Sequence, residues 1–192
     1  LDFLGRHSIL DVKLGDQVEK EMTVLFADIR SFTTLSENMS PEENFKFINA
    51  YLGRVGPIIR EYNGFIDKYI GDAIMALFAG PADDALQAAM AMQEAVDHYN
   101  THRAKSGYPP ICIGVGLHRG SMMLGTVGEQ ARMDSTVISD AVNLAFRLDS
   151  VSKVYGIRIV ISAQTLNHLL NREKYNYRFV DRVQVKGKKQ TI

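Results

Sequence analysis

Asp28 and Asp72 are the residues whose placement most directly suggests chemistry. Asp28 ends the apolar run Met22-Thr23-Val24-Leu25-Phe26-Ala27, and Asp72 stands with Gly71 between the runs Phe65 to Ile70 and Ala73 to Phe78. If the first run pairs with the hairpin that the other two imply, the two carboxylates converge. Paired carboxylates with backbone oxygens are hard ligands suited to Mg²⁺, which keeps waters and takes substrate phosphates. Two metals so held activate an attacking hydroxyl and stabilise a leaving phosphate oxygen. Aspartate is also a favoured turn residue, so the same positions read equally as a cap and a turn. Ile29-Arg30-Ser31-Phe32-Thr33-Thr34 then turns toward a helix, and backbone N–H groups in such a turn cradle phosphate. Asn143 and Arg147 are four apart in a predicted helix and project from one face. A guanidinium there can stabilise phosphate charge in a transition state, and an amide can orient a ribose or a phosphate. The alternative is an ordinary helix with a polar edge.

The elements that must position these groups follow from patterning. Residues 22 to 27 read as a buried central strand. Ser40-Pro41-Glu42-Glu43 supplies an N-cap, a proline at the first helical position and a capping-box glutamate. Phe45, Ile48, Leu52, Val55, Ile59 and Tyr62 lay an apolar stripe along the helix that follows, and Asn63-Gly64 closes it. The runs around Gly71-Asp72 predict a tight hairpin with a glycine at positive φ. A second helix is expected from Asp83 to about Lys105, stopped before Pro109-Pro110. Ile111 to His118 and Ser121 to Val127 read as a strand pair around Arg119-Gly120, with Cys112 a small core residue. A helix from Ser139 to about Val151, a strand at Arg158 to Ile161, a helix at Ala163 to Leu170 and strands in the tail complete the chain. Helices alternating with hairpins predict an α+β fold, a largely antiparallel sheet covered by helices, with a ferredoxin-like βαββαβ start.

Composition narrows the function classes. The 192 residues carry 22 Lys+Arg against 22 Asp+Glu, a balance that argues against non-specific nucleic-acid binding, which depends on summed positive charge. At 46% hydrophobic and 23% charged the chain has an ordinary globular composition, and one domain is the first expectation. The single cysteine forms no internal disulfide and suits a reducing compartment. No run approaches the roughly 18 apolar residues needed to cross a bilayer, and the start is no signal peptide. A cytoplasmic domain without membrane contact of its own is expected, compatible with a longer, membrane-tethered protein. The start without Met reads as a cut from such a longer chain.

Taken together, Leu25-Phe26-Ala27-Asp28-Ile29-Arg30-Ser31-Phe32-Thr33, Asp67-Lys68-Tyr69-Ile70-Gly71-Asp72-Ala73-Ile74-Met75-Ala76-Leu77-Phe78 and Val142-Asn143-Leu144-Ala145-Phe146-Arg147 resemble the class III nucleotidyl cyclases, the adenylyl and guanylyl cyclase catalytic domain. Gly114-Val115-Gly116-Leu117-His118-Arg119-Gly120 and the tail Val185-Lys186-Gly187-Lys188 add to the likeness, which runs in order from about residue 20 to the end. The resemblance implies that Asp28, Asp72 and the carbonyl of Ile29 bind two Mg²⁺ or Mn²⁺ ions. It implies that Asn143 holds the ribose, Arg147 stabilises the α-phosphate, and Phe32 and Thr33 lie along the phosphates. Lys186 is the expected triphosphate contact, with Lys188 as its alternative. Lys68, four residues before Asp72, resembles the base-selecting lysine of adenylyl cyclases, where guanylyl cyclases place a glutamate. Thr136, seven before Asn143, departs from the aspartate of animal adenylyl enzymes and resembles a bacterial subgroup that uses ATP. A lysine donor meets adenine N1 and a hydroxyl accepts from the exocyclic amine, whereas guanine N1 would set donor against donor. Phe146 is a second departure, standing where related sequences often have a small residue.

The family builds each site from two subunits. This chain carries both halves, so a head-to-tail homodimer with two equivalent sites is implied. Residues 1 to 20 resemble the end of a segment that transmits a signal from an upstream sensor, with residues 21 to 192 the catalytic domain. The implied reaction is ATP to 3′,5′-cyclic AMP and pyrophosphate. The alternatives are a guanylyl cyclase and a catalytically silent, nucleotide-binding dimerisation module; loss of a metal aspartate or of Asn143 or Arg147 would mark the latter, and all four are present. His98 and His102 have helical metal-ligand spacing without a surrounding HExxH and read as a solvated face.

Overall fold

The computed structural model of the chain describes residues 17–129 and 132–182. Six strands form one sheet: β1 (Gln17–Ile29), β2 (Gly64–Ile70), β3 (Ala73–Phe78), β4 (Ile113–Glu129), β5 (Arg132–Ile138) and β6 (Ile159–Ile161). The order is β2-β3-β1-β4-β5, with β6 pairing β4 in parallel and every other pair antiparallel. Helices α1 (Phe32–Ser36), α2 (Pro41–Glu61), α3 (Ala82–Lys105), α4 (Asp140–Val154) and α5 (Ala163–Asn167) complete the described elements. The segment from β1 through α2, β2, β3 and α3 to β4 is the expected ferredoxin-like βαββαβ unit with β1 at its centre.

Strand alternation splits the apolar residues between two faces. Leu25, Ala27, Ile29, Ile74, Ala76, Phe78, Val115 and Leu117 pack against α2 and α3. Met22, Val24, Phe26, Met75, Leu77, Met122 and Leu124 form a smaller core with Ala141 and Ala145 of α4. By the same alternation Asp28 lies on the α4 face of the sheet, and Lys68, whose register partner is Met75, shares it.

The predicted capping box closes the start of α2: Ser40 N–H donates to Glu43 at 2.8 Å, and Glu43 N–H donates to the Ser40 hydroxyl at 3.2 Å. Its buried stripe, however, is Phe47, Tyr51, Val55 and Ile59, while Phe45 is 71% exposed. Two apolar series overlap in this helix, and the one that meets the sheet places Phe47 flat on Phe32, ring centroids 6.4 Å apart.

The strand pair expected around Arg119-Gly120 is instead the single 17-residue strand β4. Its pairing with β1 is unbroken from Gln17↔Gly125 to Ile29↔Ile113, so Arg119 and Gly120 lie inside the ladder and face Thr23 and Met22. The glycines of β4 serve close approach rather than turning: a Cβ on Gly116 would stand 2.4 Å from both the Ala145 carbonyl oxygen and the Asp149 nitrogen of α4. Cys112 precedes β4 and is exposed, not a core residue. Helix α5 stops at Asn167, short of Leu170, and Leu169 turns into the core. Between Tyr175 and Arg182 no strand forms; buried Asp83 anchors this stretch by accepting from Leu170 N–H at 2.7 Å and the Tyr175 hydroxyl at 3.2 Å. Among the described residues no helix is long and apolar enough to cross a membrane.

Candidate active site

The convergence of the two aspartates follows from strand pairing. β1 runs antiparallel to β3 with Ala27 opposite Ile74, which sets the end of β1 beside the β2–β3 turn. Gly71 takes the turn at φ 64, as the hairpin requires. Asp72 then reaches across, and its Oδ2 accepts the Ile29 N–H at 2.9 Å. Burial raises the Asp72 pKa above the ordinary carboxylate value; the Ile29 N–H opposes this, and the nearby Asp28 charge adds to it. A site that resists its own negative charge is one that a cation would relieve. Among the described residues no cluster of three or more His, Cys, Asp and Glu side chains is gathered for a metal. Two carboxylates with a backbone carbonyl suit an ion such as Mg²⁺ that completes its shell with water and phosphate.

Immediately after Ile29 the chain turns. Arg30 N–H donates to the Cys112 carbonyl at 2.8 Å, and Ser31 adopts the left-handed conformation at φ 55 to open α1. Phe32 is half-buried against Phe47, whereas Thr33 is exposed and its carbonyl accepts from the Ser36 hydroxyl at 2.8 Å. The first turn of a helix leaves N–H groups without intrahelical partners, and those of Phe32 and Thr33 belong to this class.

Asp28 faces three groups beyond the candidate residues of the sequence. The Lys153 ammonium donates to its Oδ2, Arg30 Nη1 stands 3.6 Å from its Oδ1, and Asp149 lies alongside. Arg30 Nη1 and Lys153 Nζ are each also 3.6 Å from a carboxylate oxygen of Asp149, whose side chain is 3% exposed. Burial, then the Asp28 charge, pushes the Asp149 pKa up to about 6. Lys153 is held above its ordinary value: burial opposes this, and the hydrogen bond to Asp28 with the charges of Asp28 and Asp149 outweighs it. On the opposite face of the sheet, Tyr51 is buried with its hydroxyl unpaired. Burial raises its pKa, and the charges of Asp72, Asp28 and Asp149 raise it further, which places the phenol within electrostatic reach of the same site.

The signal for Arg30 was its place two residues after Asp28. For Asp149 and Lys153 it was their four-residue spacing on the helix already assigned to Asn143 and Arg147. Those two sit on α4 as expected, Asn143 exposed and Arg147 half-buried. Asp149 is buried on the side of α4 turned to the sheet. Phe146 contacts Phe26 edge-on at 5.6 Å and stays 56% exposed, so the departure at this position adds packing on the sheet without touching the aspartates.

Lys68 follows an irregularity in β2 between Ile66 and Lys68, and its ammonium lies 3.2 Å from Asp67 Oδ2. Thr136 is opposite Gly125 in the β4–β5 ladder; its side chain, and the whole of Lys186 and Lys188, lie outside the described residues. On α3, His98 and His102 are exposed, as read, with their Nε2 atoms 3.2 Å apart.

Comparison with known proteins agrees with this geometry. The family model for the adenylate and guanylate cyclase catalytic domain matches residues 15–192. An adenylate cyclase of Anabaena cylindrica is 46% identical over 198 aligned residues, covering 100% of this chain but 39% of that protein, so the chain spans less than half of this relative. Among solved structures, the adenylyl cyclase CyaB from P. aeruginosa superposes with a TM-score of 0.83 at 32% identity, covering 91% of this chain and 92% of that one. The guanylyl cyclase Cya2 follows at 0.80, also with 32% identity, covering 93% and 91%. With its central strand, hairpin aspartate and α4 pair placed as described, the chain belongs to the adenylate and guanylate cyclase catalytic domain family.

Proposed function

We propose that this domain converts ATP to 3′,5′-cyclic AMP and pyrophosphate at two sites shared across a head-to-tail homodimer. The observation that carries the reading is the Asp72 carboxylate seated on the Ile29 N–H at 2.9 Å, beside Asp28, in a chain 46% identical to an adenylate cyclase. Asp28, Asp72 and the Ile29 carbonyl would hold two Mg²⁺ or Mn²⁺ ions. When bound, these ions supply acidification of the ribose 3′-hydroxyl and neutralisation of the triphosphate. The 3′-oxygen bonds to the α-phosphorus, the bond to the bridging oxygen of the β-phosphate breaks, and pyrophosphate leaves.

This chain's residues supply position and charge. Asn143 and Arg147 of one copy reach the site whose aspartates belong to the other, Asn143 orienting the ribose and Arg147 stabilising the α-phosphate as charge builds. The N–H groups of Phe32 and Thr33 lie along the phosphates, and Lys186, or Lys188 beside it, contacts the triphosphate. Lys68 donates to adenine N1 and Thr136 accepts from the amine. Of residues 1 to 20, Gln17 onward belongs to the catalytic sheet, while those ahead of β1 transmit the state of an upstream sensor. The greater length of the Anabaena relative supports that last assignment, and a cytoplasmic position gives access to ATP.

The equal identity to the guanylyl cyclase Cya2 favours GTP as the second reading, and Lys68 separates the two. Purified protein assayed with ATP and with GTP in Mn²⁺ is expected to turn ATP over at least about a hundredfold faster, because a donor facing guanine N1 leaves buried donors unpaired. Faster turnover of GTP would overturn the substrate assignment.

A further inference from the structure

The charged cluster behind Asp28 has no role in the reaction as written. Its members differ in freedom. Arg30 is fixed: its guanidinium bonds the Ser152 hydroxyl, and it lies over Gly114, where a Cβ would stand 1.6 Å from Nη2. Asp149 is 3% exposed and Ser152 is fully buried, so this end of α4 is set against the sheet. Lys153 has a side chain 46% exposed and is the solvent-facing cation of the group. Asp28 Oδ1, Asp149 Oδ1 and Arg30 Nη1 are buried without hydrogen-bond partners. Two carboxylates therefore share one anchored cation and one that faces solvent.

We propose that Lys153 is a displaceable counter-cation: its ammonium occupies Asp28 Oδ2 until a divalent ion enters between Asp28 and Asp72, and it then withdraws toward Asp149 and solvent. The proposal rests on the reading of Asp28 as a metal ligand. Its physical basis is that Lys153 engages an oxygen of the carboxylate read as a metal ligand, and that an ammonium and a divalent ion on one carboxylate repel strongly at such range. Asp149, 3.6 Å from Lys153 Nζ on the preceding helical turn, gives the withdrawn ammonium a second acceptor. Lys153 thereby sets the affinity for metal without contacting substrate, as a positioning residue for Asp28.

The test is titration of the full chain with Mn²⁺ alone, without nucleotide, following free Mn²⁺ by electron paramagnetic resonance. Lys153→Met is expected to bind Mn²⁺ about tenfold more tightly, through loss of the competing charge, and Lys153→Arg to return toward wild type. Lys153→Gln provides the same comparison if the methionine variant does not fold. A lysine with only a structural role would lower the melting temperature and leave the dissociation constant unchanged. Unchanged or weaker Mn²⁺ binding in Lys153→Met or Lys153→Gln, with Asp28→Asn losing binding, overturns the proposal alone. Equal Mn²⁺ binding by wild type and Asp28→Asn overturns the metal reading and the proposal with it.

Discussion

Replacing Asp72 with alanine is expected to lower turnover by at least about a thousandfold, since the proposed two-metal site would lose several kcal/mol of charge stabilisation. The fold should survive the change. Burial raises the Asp72 pKa, so the folded chain holds this carboxylate at a cost, and alanine removes that cost. The Ile29 N–H loses a partner, worth about 1 kcal/mol, and the half-buried position lets water replace it. Circular dichroism and thermal melting should therefore match wild type while cyclic nucleotide production vanishes. Turnover above a few per cent of wild type, by the order-of-magnitude argument above, would contradict the two-metal assignment.

The second large effect concerns the seat of α4. Gly116→Ala places a methyl group 2.4 Å from two backbone atoms of that helix, the Ala145 oxygen and the Asp149 nitrogen. Neither can rotate away as a side chain would, so α4 must lift from β4. Overpacking of this kind costs about 3 kcal/mol, which lowers the melting temperature of a domain this size by roughly 6–12 °C. Activity should fall as well, because Asn143 and Arg147 ride on the same helix as Asp149 and Lys153. A melting temperature within about 2 °C of wild type would show that the helix does not need this close approach.

The convergence of Asp28 and Asp72 was legible in the sequence because both are marked locally, Asp28 by the end of an apolar strand and Asp72 by a two-residue turn. The pairing that joins them needs only the central strand to meet the hairpin, which the ferredoxin-like order supplies. The cluster around Asp28 was not legible in the same way. Lys153 is far along the chain from Asp28, and their meeting depends on α4 lying across the glycines of β4. Those glycines also misled: Arg119-Gly120 has the composition of a turn, yet the ladder with β1 continues through it. Within α2 the series containing Phe45 and the series containing Phe47 are both near helical period, and only the position of the sheet decides between them. Lys68 was identified by its distance from Asp72; its place on the α4 face follows from the irregularity in β2, which periodicity does not reveal.

In the proposed dimer one chain supplies the aspartates and its partner supplies Asn143 and Arg147. Mixing an Asp28→Ala chain with an Arg147→Ala chain, each inactive alone, separates this arrangement from one in which each chain builds its own site. Random exchange makes half the dimers mixed, each with one intact site, so about a quarter of wild-type cyclic AMP production from ATP should return. A mixture that forms heterodimers and remains inactive would contradict the shared site.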